Sequence, residues 1–383
     1  MKWRHVTWGV LSAVALLLAA GGTWIASLPA GQAGATSQPI PQEETDAMIA
    51  ALKPTKRERP VVAIVGINDG TETTDYLMPY GILRRAGVAD VITLATQPGP
   101  MTLFPALKVE PQATIAAFDM QYPEGADYVI VPAMHREDDP TALQWIRSQA
   151  EKGAIIVGIC VGAKVVAAAG LLDGRQATTH WYSLDDLRKE HPTVRYVADR
   201  RIVVDRGVAT TTGITASMPM SLALIEAIAG RDKAKDIARD LGLADWDARH
   251  DSDAFKFTRP FALTAIGNTL AFWKRETLGI ELVPGMDEVS LALVADAWSR
   301  TYRSRAVTFA ATAAARESRN GIRFIPEEVA AGWPTQQLVP WADDRPPARI
   351  LDETLRAVAD RYRASTADFV AMQLEYPRQT APQ

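Results

Sequence analysis

The chain has 383 residues, 48% hydrophobic and 22% charged, with a net charge of −4. That length allows about two or three domains with sizeable cores, and the slight acidity without a long basic block argues against nucleic acid as an obligatory partner. A single cysteine, Cys160, excludes an internal disulfide and a cysteine-built zinc site, and five histidines without ligand spacing point to no metal or cofactor.

Lys2, Arg4 and His5 precede an uncharged, largely apolar run from Val6 to Leu28. At about 1.5 Å per residue this run reaches roughly 34 Å, enough to cross a bilayer core. Residues 1–28 are therefore expected to form a single-pass anchor of the inner membrane, with the globular part outside the cytoplasm in a periplasm. A cleaved signal peptide is the rival, with Ala33-Gly34-Ala35 as its cleavage site. Residues 29–59, rich in Pro, Gln, Ala and Thr, read as a tether with a short helix from Glu43 to Leu52.

Strand and helix then alternate. Apolar runs at Val61–Val65, Val91–Leu94, Tyr128–Val131 and Ala154–Val157 have buried-strand character, and helices are expected over Thr74–Arg85 and Thr141–Lys152. Asn68-Asp69-Gly70 reads as a turn. This order predicts an α/β fold with a parallel sheet covered on both faces, whose ligand crevice lies at the carboxyl ends of its strands.

Cys160 sits on that edge, between the Ala154–Val157 strand and a helix expected from Ala163 to Leu172. Gly158-Ile159-Cys160-Val161-Gly162 has the form of a nucleophile elbow, in which small residues permit a sharp turn and the following helix N-terminus favours a thiolate. A buried, inert cysteine in a small-residue turn is the alternative.

These residues, followed by Ala169–Arg175, by Ala177-Thr178-Thr179-His180-Trp181 and by Thr212-Gly213-Ile214-Thr215-Ala216, resemble the ThiJ/PfpI family of class I glutamine amidotransferase-like proteins. The likeness is to isonitrile hydratases and to the sensor domains of AraC-type regulators in particular. It covers about residues 60–243 and implies a flavodoxin-like sandwich, an elbow cysteine and an acid hydrogen-bonded to its sulfur. The family's acid falls on Asp75, with Pro79 four residues later; a protonated carboxyl there can donate to a thiolate and pass a proton to substrate. His180 matches the family's Thr-Thr-His histidine and is either a partner of Cys160 or a strand-end histidine bonded to a backbone carbonyl. His135 is a further rim candidate. Ala133 and Met134 replace family glycines whose N–H groups approach a reacting oxygen, and Val161 follows the cysteine where relatives carry threonine or histidine, which disfavours protease activity.

Residues 244–383 read as a degenerate second α/β copy with its elbow half deleted, the alternative being a chance match between two α/β segments. An ungapped shift of 215 pairs Gly70 with Gly285, Leu94 with Phe309 and Ala95 with Ala310, and sets Ser290 in the place of Asp75. Such a copy packs on the first as an internal pseudo-dimer, or the chain forms a homodimer. The segment from Ala244 to Arg259 is a polar linker, and Phe261–Trp273 an apolar helix bridging the halves. Two functions fit: a hydrolase or hydratase acting through Cys160 on a small electrophilic molecule, with Asp75 handling the proton, or a non-catalytic small-molecule or redox sensor.

Overall fold

A computed structural model describes residues 16, 19–31, 37, 39–340 and 344–377. Much of the run expected to span a membrane lies outside them. Among the described residues no helix is long and apolar enough to cross a membrane.

The central sheet has seven strands. They are β1 (Val61–Gly66), β2 (Asp90–Ala95), β3 (Ala113–Thr114), β4 (Tyr128–Val131), β5 (Ile155–Gly158), β6 (Ile202–Asp205) and β7 (Val208–Thr211), in the spatial order β6-β7-β5-β4-β1-β2-β3. All neighbours are parallel except the β6–β7 hairpin. Every residue of β1 and β4 is buried because both sheet faces are covered, which is why these strands read as unbroken apolar runs. Alternate residues divide between two cores. Val61, Ala63 and Val65 pack with Ile146, Val165 and Phe118, while Val62 and Ile64 pack with Leu77, Leu224 and Leu293.

Two local expectations change. Asp69–Glu72 is a short strand against Met101–Phe104, not only a turn. The helix after the elbow, α2 (Gly162–Ala168), stops four residues before Leu172, where Gly170 takes a positive φ of 76° that continues no helix.

Beyond residue 243 come α3 (Arg259–Leu270), α4 (Glu288–Ser299), α5 (Ala364–Leu374) and a three-stranded parallel sheet of Glu276–Glu281, Ser304–Ala310 and Glu328–Val329. α4 packs against α1 (Thr73–Ala86), and nearly every residue of both helices is buried. A helix covered by its own sheet on one side and by a second helix on the other loses its polar face, so neither shows strong amphipathic periodicity.

The contact between the halves is reciprocal. Arg300 Nη2 donates to Glu72 at 2.8 Å, and Arg85 Nη2 donates to Asp287. Arg300 and Asp287 each stand 215 positions after Arg85 and Glu72. Val109 pairs with Phe324, again 215 positions on, inside a five-stranded sheet to which both halves contribute. The pairing of Met101 with Val109 and Thr102 with Lys108 is repeated by Arg316 with Phe324 and Glu317 with Arg323. Only the first strand pair slips: Val61 faces Asp90, but Glu276 faces Ser304, one residue out of register. Reciprocal contacts of this kind characterise isologous interfaces.

Glu72 is buried and the Arg300 side chain is only 13% exposed, so removing one charge leaves the other unpaired in a poorly solvated place. Arg300→Met is expected to lower unfolding free energy by about 3–5 kcal/mol. In urea denaturation, the Arg300→Met/Glu72→Gln double variant should lose less than the sum of the two single changes.

Candidate functional site

The end of β5 forces the geometry of Cys160. Ile159 N–H donates to Val131 O at 2.9 Å, which ties the strand end to β4, and the chain then turns through Cys160 at φ 56°. A left-handed conformation at a non-glycine residue is strained and is held by its surroundings. Cys160 N–H donates to Thr211 Oγ1 at 3.1 Å, and Thr179 Oγ1 donates to Cys160 O at 3.1 Å. Gly162 is required two residues on, because a Cβ there would lie 2.0 Å from Val131 O. The elbow is thus held by the ends of β4 and β7 and by the segment carrying Thr179.

Asp75, in the first turn of α1, is fully buried. Its Oδ2 accepts from Ala133 N–H at 3.1 Å, and its Oδ1 has no hydrogen-bond partner. No hydrogen bond joins it to the Cys160 sulfur among the described residues, although the resemblance implied one; the Ala133 N–H holds its carboxyl instead. Pro79, one turn later, lacks the N–H that would bond the Asp75 carbonyl. Burial, then the neighbouring Glu72 carboxylate, push the Asp75 pKa well above the ordinary range and favour the protonated acid.

Glu72 caps α1. Its carboxylate accepts from Asp75 N–H at 2.6 Å, from Thr74 Oγ1 and from Arg300, while its own N–H donates to Ala133 O at 2.9 Å. Arg300 also donates through Nε to Asp296 at 2.6 Å. Burial opposes the Arg300 charge, yet Asp296 and Glu72 raise its pKa above the ordinary value. Burial raises Asp296 as well, and its Oδ2 has no partner. One guanidinium therefore faces Glu72 and Asp296, with Asp75 beside them.

The thiol departs from expectation. Burial, followed by Asp75, Glu72 and Glu375, pushes the Cys160 pKa well above its ordinary value. The short helix α2 does not offset burial among carboxyl groups, so the resting side chain is a neutral thiol.

His180 is buried with both ring nitrogens engaged. Nε2–H donates to Gln373 O at 3.0 Å, and Nδ1 accepts from Tyr182 N–H at 3.1 Å. Burial pushes its pKa down to about 4. Neither nitrogen is left to take a proton from Cys160; the geometry is that of the carbonyl-bonded histidine. His135 is exposed and lies against Phe104 with the ring centroids 4.4 Å apart and the planes tilted.

Cys160, Val161, Ala133, Met134, His135 and His180 border one cavity of about 690 Å³, within the range of small-molecule sites, whereas Asp75 stands behind its wall. Glu72, Arg300, Phe261 and Tyr302 also line it. The sequence reading missed Glu72 and Arg300. Their signal was present, because the shift of 215 sets Arg85 against Arg300. It also missed Glu375, whose carboxylate accepts from Trp181 N–H and Gly213 N–H. Gly213 makes room for it, since a Cβ there would lie 2.5 Å from the Glu375 side chain.

The DJ-1/PfpI family pattern matches residues 61–227. Isonitrile hydratase of Pseudomonas putida is 33% identical over 166 residues, which span 42% of this chain and 69% of that protein. The HTH-type transcriptional regulator CdhR of Pseudomonas aeruginosa is 34% identical over 112 residues, 29% of this chain and 33% of the regulator. Among solved structures, Drosophila melanogaster DJ-1beta matches with 21% identity and a TM-score of 0.44, over 49% of this chain and 99% of that one.

His180 generates a pH dependence. Its folded pKa of about 4 lies below the ordinary 6.5, so the folded state binds fewer protons and its stability falls as pH drops from 6.5 toward 4. The full loss is roughly 3 kcal/mol. His180→Gln is expected to flatten that part of a stability–pH profile measured by urea denaturation.

Proposed function

The chain belongs to the DJ-1/PfpI family, and from that premise we propose that it is a cysteine-dependent hydratase or hydrolase acting on a small, largely uncharged electrophile. One observation carries the reading: a strained elbow thiol at the base of a cavity, beside a buried Asp75 whose Oδ1 has no partner. Because burial favours the protonated acid, Asp75, behind the cavity wall, is suited to exchange protons with the Cys160 sulfur as it attacks and leaves. With an isonitrile, the substrate named by the Pseudomonas putida relative, the thiol S–H adds across the terminal carbon to give a thioimidate. Water then adds to that carbon, the C–S bond breaks, and an N-substituted formamide leaves with the thiol restored. The protein in this scheme shuttles protons and consumes only water.

A second reading is a non-catalytic ligand-binding module. It is favoured by the engagement of the Ala133 N–H with Asp75 and of both His180 nitrogens, which removes an oxyanion donor and a base. Redox sensing is disfavoured, because sulfenate formation begins from a thiolate.

The reciprocal contacts at a shift of 215 support residues 244–383 as a degenerate second copy packed on residues 60–243 as an internal pseudo-dimer. In that arrangement the inert half supplies Arg300 to the cavity. The uncharged Val6–Leu28 run behind Lys2 and Arg4 supports a single-pass anchor with the globular part outside the cytoplasm.

Incubation with a panel of isonitriles, amides and dicarbonyls, followed by mass spectrometry, tests the reaction. Turnover that is lost in Cys160→Ser and reduced at least about 100-fold in Asp75→Asn is expected. Ligand binding retained in Cys160→Ala, with no turnover by the parent, selects the binding module instead. Alkylation of Cys160 by iodoacetamide should continue to accelerate above pH 9. Asp75→Asn removes a group whose ionisation at high pH opposes the thiolate, and should move the profile to lower pH.

A further inference from the structure

α3 is apolar on two faces. Phe261 and Ala265 point inward to the Cys160 cavity. Leu263, Ile266 and Leu270 lie on the outer face at helical spacing, and Phe272 and Trp273 follow in the next turn; all five are between 39% and 69% exposed. A helix that faces water carries polar residues on its outer side, and a contiguous apolar patch of this kind marks an interaction surface.

What covers it is indicated by the chain that lies beside it. Arg259 N–H donates to Pro29 O at 2.8 Å, and the Arg259 guanidinium donates to Ala26 O at 2.7 Å and Leu28 O at 3.2 Å. The Trp24 ring lies 5.8 Å from Phe257, just before this helix. The uncharged run from Val6 therefore ends on the first turn of α3. Lys274 and Arg275, both exposed, follow the aromatic pair directly.

We propose that the outer face of α3, with Phe272 and Trp273, rests in the interfacial layer of a lipid bilayer. Aromatic rings settle at headgroup depth, and adjacent Lys and Arg side chains meet anionic phosphates. The same helix walls the Cys160 cavity with its inner face, so an apolar ligand dissolved in lipid meets the cavity one helix thickness away. The proposal rests on the anchoring of the N-terminal run and is independent of the Cys160 chemistry.

The test reconstitutes the full chain in phosphatidylcholine–phosphatidylglycerol vesicles whose acyl chains carry bromine, a quencher of tryptophan emission. Trp273→Phe is expected to remove part of the quenched emission while the protein stays with the vesicles through a carbonate wash. Leu263→Glu/Leu270→Glu should give the same loss with Trp273 in place. Unchanged quenching in both variants, with the protein still pelleted, overturns the docking. Unchanged quenching together with cross-linking between copies at position 263 assigns the face to a second copy. Release of the parent by carbonate overturns both the docking and the anchor. Absence of turnover on any substrate leaves the quenching result untouched, so failure of the enzymatic reading is seen separately.

Discussion

The Arg300 guanidinium is the point on which the two halves of this protein meet chemically. It is largely shielded from solvent, holds Glu72 at 2.8 Å and Asp296 at 2.6 Å, and comes from the half of the chain that lacks a cysteine. Buried charges must be matched, and here one cation is surrounded by more carboxyl groups than it can neutralise. The excess is relieved by protons. Asp75 and Asp296 are both pushed toward the neutral acid, and each has a buried oxygen without a partner. Glu72, fixed by Arg300, then caps α1 and positions the backbone of Asp75. The site is thus set from behind, by charge balance across an interface.

That balance determines the character of the elbow. Burial makes a thiolate at Cys160 costly, and the surrounding carboxyl groups of Asp75, Glu72 and Glu375 add to the cost. The resting pair is a neutral thiol and a neutral acid. Such a pair exchanges protons without creating net charge in an apolar cavity, a requirement different from that of a protease, where imidazolium stabilises a standing thiolate. His180, neutral and bonded at both nitrogens, adds no imidazolium beside the sulfur, and the Arg300 charge is already committed to Glu72 and Asp296.

The central strands and the elbow were legible from local pattern. Val61–Val65, Tyr128–Val131 and the residues around Cys160 announce themselves because both faces of the sheet are buried and the turn needs glycine at position 162. The acid at Asp75 was legible from its resemblance to a family motif. Glu72 and Arg300 were legible only through the shift of 215 that sets Arg85 against Arg300, because their pairing spans 228 positions and neither lies in a local motif. The state of the thiol was hidden for the same reason: helix α2 is local, whereas the carboxyl groups that outweigh it come from α1 and from residue 375. Short strands such as Asp69–Glu72 escaped notice because pairing with Met101–Phe104, not propensity, makes them strands.

The reciprocal pairs Arg85–Asp287 and Arg300–Glu72 lie within one polypeptide. In an assembly of identical subunits such contacts are lost on dilution, and every substitution appears on both sides of the axis at once. Covalent linkage removes both constraints. The effective concentration of Arg300 at Glu72 is set by the chain and not by expression level. Residues 244–383 hold no cysteine, yet through Arg300 they supply a side chain to the cavity that Cys160 borders.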